Sequence, residues 1–156
     1  MRAIMVSVMS VLALAGCQSK DGPMDIEQLR EFGARYAAAW CSQDPSSVAA
    51  FYEKNGSLTI NGGDPSIGRA AITEAARGFM EAFPDLVVAM DEIGIEGGHA
   101  VFRWTLDGTS TGPGGSGNAV HISGYEEWTL SENGLIAESR GHFDEADYNR
   151  QLDSEG

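Results

Sequence analysis

The chain has 156 residues and a formal net charge of -13, from 10 Lys and Arg against 23 Asp and Glu. Its length suits one domain, and 42% hydrophobic with 21% charged residues is typical of a globular protein rather than of a disordered chain. Because it lacks the basic surface that neutralises phosphates, a nucleic-acid partner is not expected.

The N-terminal residues have the pattern of a targeting segment. Arg2 precedes an apolar stretch over residues 3–15, which is shorter than the about 20 residues that a membrane-spanning helix needs. The stretch ends in Leu14-Ala15-Gly16-Cys17, which resembles the lipobox of bacterial lipoproteins. An ordinary signal peptide and a buried apolar helix are the alternatives.

The lipobox resemblance implies how residues 1–24 are processed. Residues 1–16 would be a lipoprotein signal peptide, Cys17 would be acylated, and residues 17–24 would form a polar tether. The lipid on Cys17 would attach the protein to a membrane of the bacterial cell envelope. Because Gln18 stands where inner-membrane lipoproteins have an aspartate, the resemblance implies the outer membrane, facing the periplasm.

Three helices are predicted in the part of the chain that follows. Asp25 can cap a helix over residues 25–41, whose apolar residues recur at steps of three and four. Asp44-Pro45 is typical of a helix start and predicts a short second helix, which Asn55-Gly56 would end. A short strand over residues 57–60 and a third helix follow, and Pro84 closes that helix.

From Leu86 onward the apolar pattern has a period of two. Turns at Gly97-Gly98 and Glu132-Asn133-Gly134 separate hairpin strands, and a last helical turn can follow. The predicted strands are 86–96, 99–108, 119–131 and 134–144. This order predicts an α+β fold with N-terminal helices packed on an antiparallel four-stranded sheet.

A set of short motifs resembles the SnoaL-like group of the nuclear transport factor 2 superfamily. The motifs are Ala39-Trp40, Asp44-Pro45, Asn61-Gly62, Gly68-Arg69, Phe83-Pro84-Asp85, Gly108-Thr109, Gly134-Leu135-Ile136-Ala137-Glu138 and His142-Phe143-Asp144. The resemblance covers residues 25–152 and implies a curved sheet that forms a cone-shaped pocket for a small hydrophobic molecule. It also implies a tendency to form homodimers through the outer face of the sheet.

Four ionisable residues share one face of the last predicted strand. Alternation places Glu138, Arg140, His142 and Asp144 together, either on a solvated outer face with ion pairs or as the polar lining of the pocket. The resemblance implies that Asp144 is a general acid/base, with His142 as its proton shuttle or as a donor to an oxyanion. The residues expected in the pocket are Trp40, Tyr52, Phe79, Phe83, Arg103, Tyr125 and Trp128.

Other site chemistries have weaker support in the sequence. His121, His142 and Asp144 could form a two-histidine, one-carboxylate metal face if the strands bring them together, but no metal or other cofactor is expected. Gly112, Gly114 and Gly117 satisfy GxGxxG, yet a strand follows them where a dinucleotide site needs a helix. A flexible loop is therefore the expectation.

Three functions are compatible with these patterns. The first is an exported, lipid-anchored domain that binds a small hydrophobic molecule without turnover, which export favours slightly. The second is an acid/base enzyme of the cyclase or ketosteroid-isomerase type that uses Asp144 and His142. The third is a dimeric structural domain.

Overall fold

The computed structural model describes residues 23–154. The predicted signal peptide, Cys17 and most of the predicted tether lie outside the described residues. The elements in chain order are α1 (Ile26–Cys41), α2 (Pro45–Ala49), β1 (Tyr52–Ile60), β2 (Ser66–Ile67), α3 (Arg69–Ala82), β3 (Val87–Glu96), β4 (His99–Thr109), β5 (Ala119–Leu130), β6 (Ile136–Phe143) and α4 (Glu145–Asp153). The predicted α+β class and the order of helices before the hairpin strands are confirmed.

The sheet has six strands in the order β2-β1-β6-β5-β4-β3, not the four that the pattern predicts. β1 adds to β6 in parallel, and every other pair is antiparallel, so the sheet is mixed. The strand expected over residues 57–60 is the second half of β1, but its pairing with β6, far away in sequence, was not predicted. The strand β2 was also not predicted, because it has only two residues.

The Asn55-Gly56 turn that was expected to end α2 lies inside β1. The register between β1 and β6 shifts between Tyr52 and Ser57, as in a β-bulge. A Cβ atom at Gly56 would lie 2.9 Å from the carbonyl oxygen of Ile136. Gly56 therefore marks a close approach of two backbones, which sequence alone does not distinguish from a turn.

Local capping sets the starts of α1 and α2 as predicted. The Asp25 carboxylate accepts a hydrogen bond from the Gln28 amide at 2.8 Å, and the Gln28 side chain accepts one from the Asp25 amide at 3.0 Å. Asp44 caps α2 before Pro45 at the first helical position. These bonds satisfy amides that have no partner within the helix.

The helices cover one face of the sheet, here called the inner face. Leu29, Phe32 and Tyr36 on α1 are buried, as are Phe102 and Trp128 on the sheet. The opposite face, here called the outer face, carries partly exposed polar and charged side chains. Within residues 23–154, no helix is both long and apolar enough to cross a membrane.

Candidate functional site

A small apolar cavity with a volume of about 50 Å³ lies between the inner face and the helices. Aromatic side chains from four elements line it: Trp40 of α1, Phe79 of α3, Phe102 and Trp104 of β4, and Phe143 of β6. Among the described residues that line it, Glu126 of β5 is the sole ionisable one. The cavity therefore combines largely apolar walls with one carboxyl group and with the buried Nε1 of Trp104, which has no hydrogen-bond partner among the described residues.

Glu126 is held by hydrogen bonds that converge on one of its oxygens. Its Oε2 accepts from Trp128 Nε1 at 2.7 Å, Ser139 Oγ at 2.8 Å and the Tyr36 hydroxyl at 3.1 Å. Its Oε1 has only a longer contact of 3.4 Å with the same Tyr36 hydroxyl. The Tyr36 and Tyr52 hydroxyls are 2.9 Å apart. Oε1 is thus the more weakly hydrogen-bonded of the two oxygens.

The electrostatic setting shifts this carboxyl group toward its neutral form. Glu126 is 7% exposed, and burial raises its pKa above 4.5, although the bonds from Trp128, Ser139 and Tyr36 lower it in part. Burial and the nearby Glu126 also raise the pKa of Tyr36 and of Tyr52 well above 10. Both tyrosines therefore stay neutral donors. No Lys, Arg or His of residues 23–154 forms an ion pair with Glu126.

Strand alternation explains why Glu126 points inward. Gly124, Glu126 and Trp128 share the inner face of β5, whereas Tyr125 and Glu127 lie on the outer face. The sequence patterns did not single out Glu126 as a pocket residue. Trp128 was already expected in the pocket, and side chains two residues apart on a strand share a face. That alternation is the signal that could have identified Glu126.

The structure places His142 and Asp144 away from the cavity, which corrects their expected position. His142 stacks on Tyr125 on the outer face, with ring centroids 4.8 Å apart, and its Nε2 lies 3.5 Å from Glu127 Oε1. Asp144 follows the end of β6, is exposed and caps α4 by accepting from the Asp147 amide at 2.9 Å. Asp144 lies outside β6 because it is the N-cap residue, after which α4 begins.

Glu138 and Arg140 share the outer face with His142, and they form an ion pair at 3.0 Å. The sequence left two interpretations of these residues open, an ion-paired outer face and a polar lining of the pocket. The structure places them on the outer face with ion pairs. Alternation alone did not decide between them, because it groups residues without saying which side the helices cover.

The expected pocket residues fall into three groups. Trp40 and Phe79 line the cavity. Tyr52, Phe83 and Trp128 are fully buried, and the first and last join the hydrogen-bond network around Glu126. Arg103 and Tyr125 lie on the outer face instead.

Arg103 faces outward because its neighbours in sequence on β4, Phe102 and Trp104, both face the cavity. Its guanidinium group pairs with Glu96 at 3.0 Å. Arg103 therefore cannot contact a ligand held on the inner face.

The residues considered for a metal face are not gathered together. Within residues 23–154 there is no cluster of three or more His, Cys, Asp or Glu suited to a metal ion. His121 pairs with Asp107, and it lies four residues from Tyr125, the strand partner of His142. Four residues of strand span about 13 Å, so the two histidines are far apart.

The glycine-rich segment between β4 and β5 is a loop, as expected. Its Gly112 backbone packs against the carbonyl oxygen of Glu81 near the end of α3, where a Cβ atom would clash. A strand follows the segment, and no dinucleotide site is formed by it.

Comparison with known structures identifies the fold. TsrD from Streptomyces laurentii is 21% identical with a TM-score of 0.71, covering 84% of this chain and 98% of that one. A hypothetical protein with a ketosteroid isomerase-like fold from Catenulispora acidiphila, solved with trimethylamine, is 15% identical with a TM-score of 0.69. The match covers 78% of this chain and 92% of that one. SalBIII, an epoxide hydrolase/cyclase-like enzyme of pyran ring formation in the polyether salinomycin, is 19% identical with a TM-score of 0.68. The match covers 79% of this chain and 95% of that one.

These identities show a shared ketosteroid isomerase-like fold and not a shared activity. No curated protein matches the sequence at a significant level. The family model described as SnoaL-like polyketide cyclase matches residues 31–152, most of the chain, which confirms the resemblance drawn from the motifs. The chain therefore belongs to the SnoaL-like polyketide cyclase family.

Proposed function

We propose that this protein binds a small, largely apolar molecule in the inner-face cavity and that Glu126 exchanges a proton with it. The observation that carries this proposal is a buried carboxyl group that lines an apolar cavity and has one oxygen free of strong hydrogen bonds. Members of the fold bind small molecules, as the trimethylamine complex illustrates.

The chemistry follows from the position of the proton. Oε2 already accepts three hydrogen bonds, so the proton of the neutral acid resides on Oε1. A raised pKa brings a carboxyl group closer to the operating pH, which is the condition for efficient general acid/base work. Turnover of the cyclase or isomerase kind would then use Glu126, and not Asp144 and His142, as its acid/base.

The test uses cyclopentanone as the probe and the full chain. Saturation-transfer NMR measures binding, and exchange of the hydrogens next to the carbonyl group in D₂O measures proton transfer. The wild type is expected to bind cyclopentanone and to accelerate the exchange. Glu126→Gln should abolish the acceleration. Glu127→Gln, a change on the outer face of the same strand, should leave it intact.

A cavity-filling variant locates the binding. A Cβ atom at Gly141 would be 3.6 Å from Glu126 Cγ, in ordinary contact, so Gly141→Val is expected to fill the cavity from β6. Gly94→Val is the control, because a Cβ atom there meets nothing within 4 Å. Binding that survives Gly141→Val, or exchange that survives Glu126→Gln, would refute the proposal. Binding without exchange would leave a binding domain without acid/base activity.

Export and lipid anchoring form a separate part of the proposal, supported by the resemblance of Leu14-Ala15-Gly16-Cys17 to a lipobox. Expressed in a bacterium, the protein should carry acyl chains on Cys17 by mass spectrometry and fractionate with the outer membrane. Cys17→Ala should abolish the lipid mass. An unmodified wild-type Cys17 would contradict this part and leave the cavity proposal unaffected.

Homodimerisation through the outer face stays a prediction of the family resemblance. Tyr125 is 39% and Val87 50% exposed, which supplies apolar area for association. Sedimentation velocity should show a dimer that Tyr125→Glu weakens. A monomer across the micromolar range would contradict it.

A further inference from the structure

Aromatic rings make up much of the cavity wall. Trp40 and Phe79 meet edge to face with centroids 6.0 Å apart, and Trp104 and Phe143 do so at 6.1 Å. Phe102 completes the set. The face of an aromatic ring attracts a cation within about 6 Å of its centroid, and desolvation strengthens the attraction.

Glu126 has hydrogen-bond donors but no positive partner. A buried carboxylate is ordinarily paired, because an isolated charge in an apolar interior is costly. The three donors around Oε2 are neutral, and among residues 23–154 no cationic side chain pairs with Glu126. A ligand cation against Oε1 would supply the positive charge that the ionised form of Glu126 lacks among the described residues.

We infer that the ligand of this cavity is a small alkylammonium ion, with its N–H group on Glu126 Oε1 and its alkyl groups among the aromatic rings. The inference rests on the proposed function, because it names the ligand class of the same site. The small cavity suits a nitrogen that carries short alkyl groups, and the net charge of -13 favours the approach of cations.

Proton transfer accompanies the entry of a neutral amine. The proton leaves Glu126 Oε1 and joins the nitrogen lone pair, so that a carboxylate and an ammonium ion remain side by side. Judged from lysine and glutamate side chains, an aliphatic amine is more basic than a carboxylate by roughly six pH units. This difference favours the ion pair in the complex, against the burial that raises the pKa of Glu126.

Calorimetric titration of the full chain tests the inference. Trimethylamine is compared at pH 7 with tert-butanol, a neutral molecule of similar shape. The wild type and Glu127→Gln are expected to bind trimethylamine at least tenfold more tightly than tert-butanol. Glu126→Gln should lose that preference and still bind tert-butanol. Phe79→Leu should weaken trimethylamine several-fold, because it keeps an apolar side chain and removes one ring.

The wild type alone supplies a second readout. Below the pKa of Glu126, binding of trimethylammonium should release one proton, measured from binding enthalpies in two buffers of different ionisation enthalpy. Equal affinities for the two probes, or trimethylamine binding that Glu126→Gln leaves unchanged, would overturn the inference while the proposed function stands. Absence of any binding of trimethylamine, tert-butanol and cyclopentanone would refute both.

Discussion

Replacing Glu126 with glutamine should stabilise the protein at neutral pH. The amide oxygen of glutamine can accept the bonds that Trp128 and Ser139 now donate to Oε2, and its amide nitrogen takes the place of the protonated Oε1. Glutamine therefore imitates the neutral acid without a charge to bury. A group kept for ligand chemistry at the expense of stability shows this behaviour.

The expected size follows from linkage between protonation and folding. Because burial raises the pKa of Glu126 in the folded protein, the folded state holds more protons than the unfolded one above about pH 4.5. The free energy of unfolding of the wild type, relative to Glu126→Gln, should be constant below that pH and fall as pH rises toward the folded pKa. The fall amounts to about 1.4 kcal/mol for each unit by which the folded pKa exceeds the unfolded one.

An alanine at this position behaves differently, because it leaves donors without an acceptor. Trp128 Nε1 and Ser139 Oγ would lose their partner, at a cost of about 1 to 3 kcal/mol each. The Tyr36 hydroxyl keeps the Tyr52 hydroxyl as a partner. Glu126→Ala should therefore be destabilised by about 2 to 6 kcal/mol.

Urea unfolding from pH 4 to 8 measures these free energies, with ¹³C NMR of the carboxyl group giving the folded pKa independently. Glu127→Gln is the control and should show no such pH-dependent difference from the wild type. The reasoning fails if Glu126→Gln is less stable than the wild type at pH 7 by more than about 1 kcal/mol, since the carboxylate anion would then be a structural group.

Three further changes test the positions of residues outside the acid/base group. Asp144→Ala should lower the free energy of unfolding by about 1 kcal/mol, measured in urea, because the α4 cap is lost. It should leave the hydrogen exchange of cyclopentanone unchanged, and a loss of that exchange would return Asp144 to the mechanism. Gly124→Ala should destabilise by about 1 to 3 kcal/mol or more and alter tryptophan fluorescence, because the added Cβ would clash with the backbone carbonyl oxygen of His142 and lie 2.5 Å from Trp104 Cζ2. Unchanged stability and fluorescence would contradict that packing. Arg103→Ala should leave trimethylamine affinity unchanged by calorimetry, because its pair with Glu96 is on the outer face. A tenfold gain in affinity would place this guanidinium group near the bound cation.

Local signals in the sequence determined a large part of this fold. The Asp25 and Asp44 caps, the proline that follows the second of them and the alternation after Leu86 predicted the starts of α1 and α2 and the course of β3 to β6. These features could be predicted because each depends on residues a few positions apart. The family was also recognisable from short motifs, and the family model confirms it.

Only the tertiary structure decided which chemistry faces the cavity. A period of two groups Glu138 with His142, and Glu126 with Trp128, but whether a group is solvated depends on which face of the sheet the helices cover. The parallel pairing of β1 with β6 is likewise long-range and has no local signal. Burial decides the role of Glu126, because the same carboxyl group would be an ordinary surface charge on the outer face, where Glu127 lies one residue away.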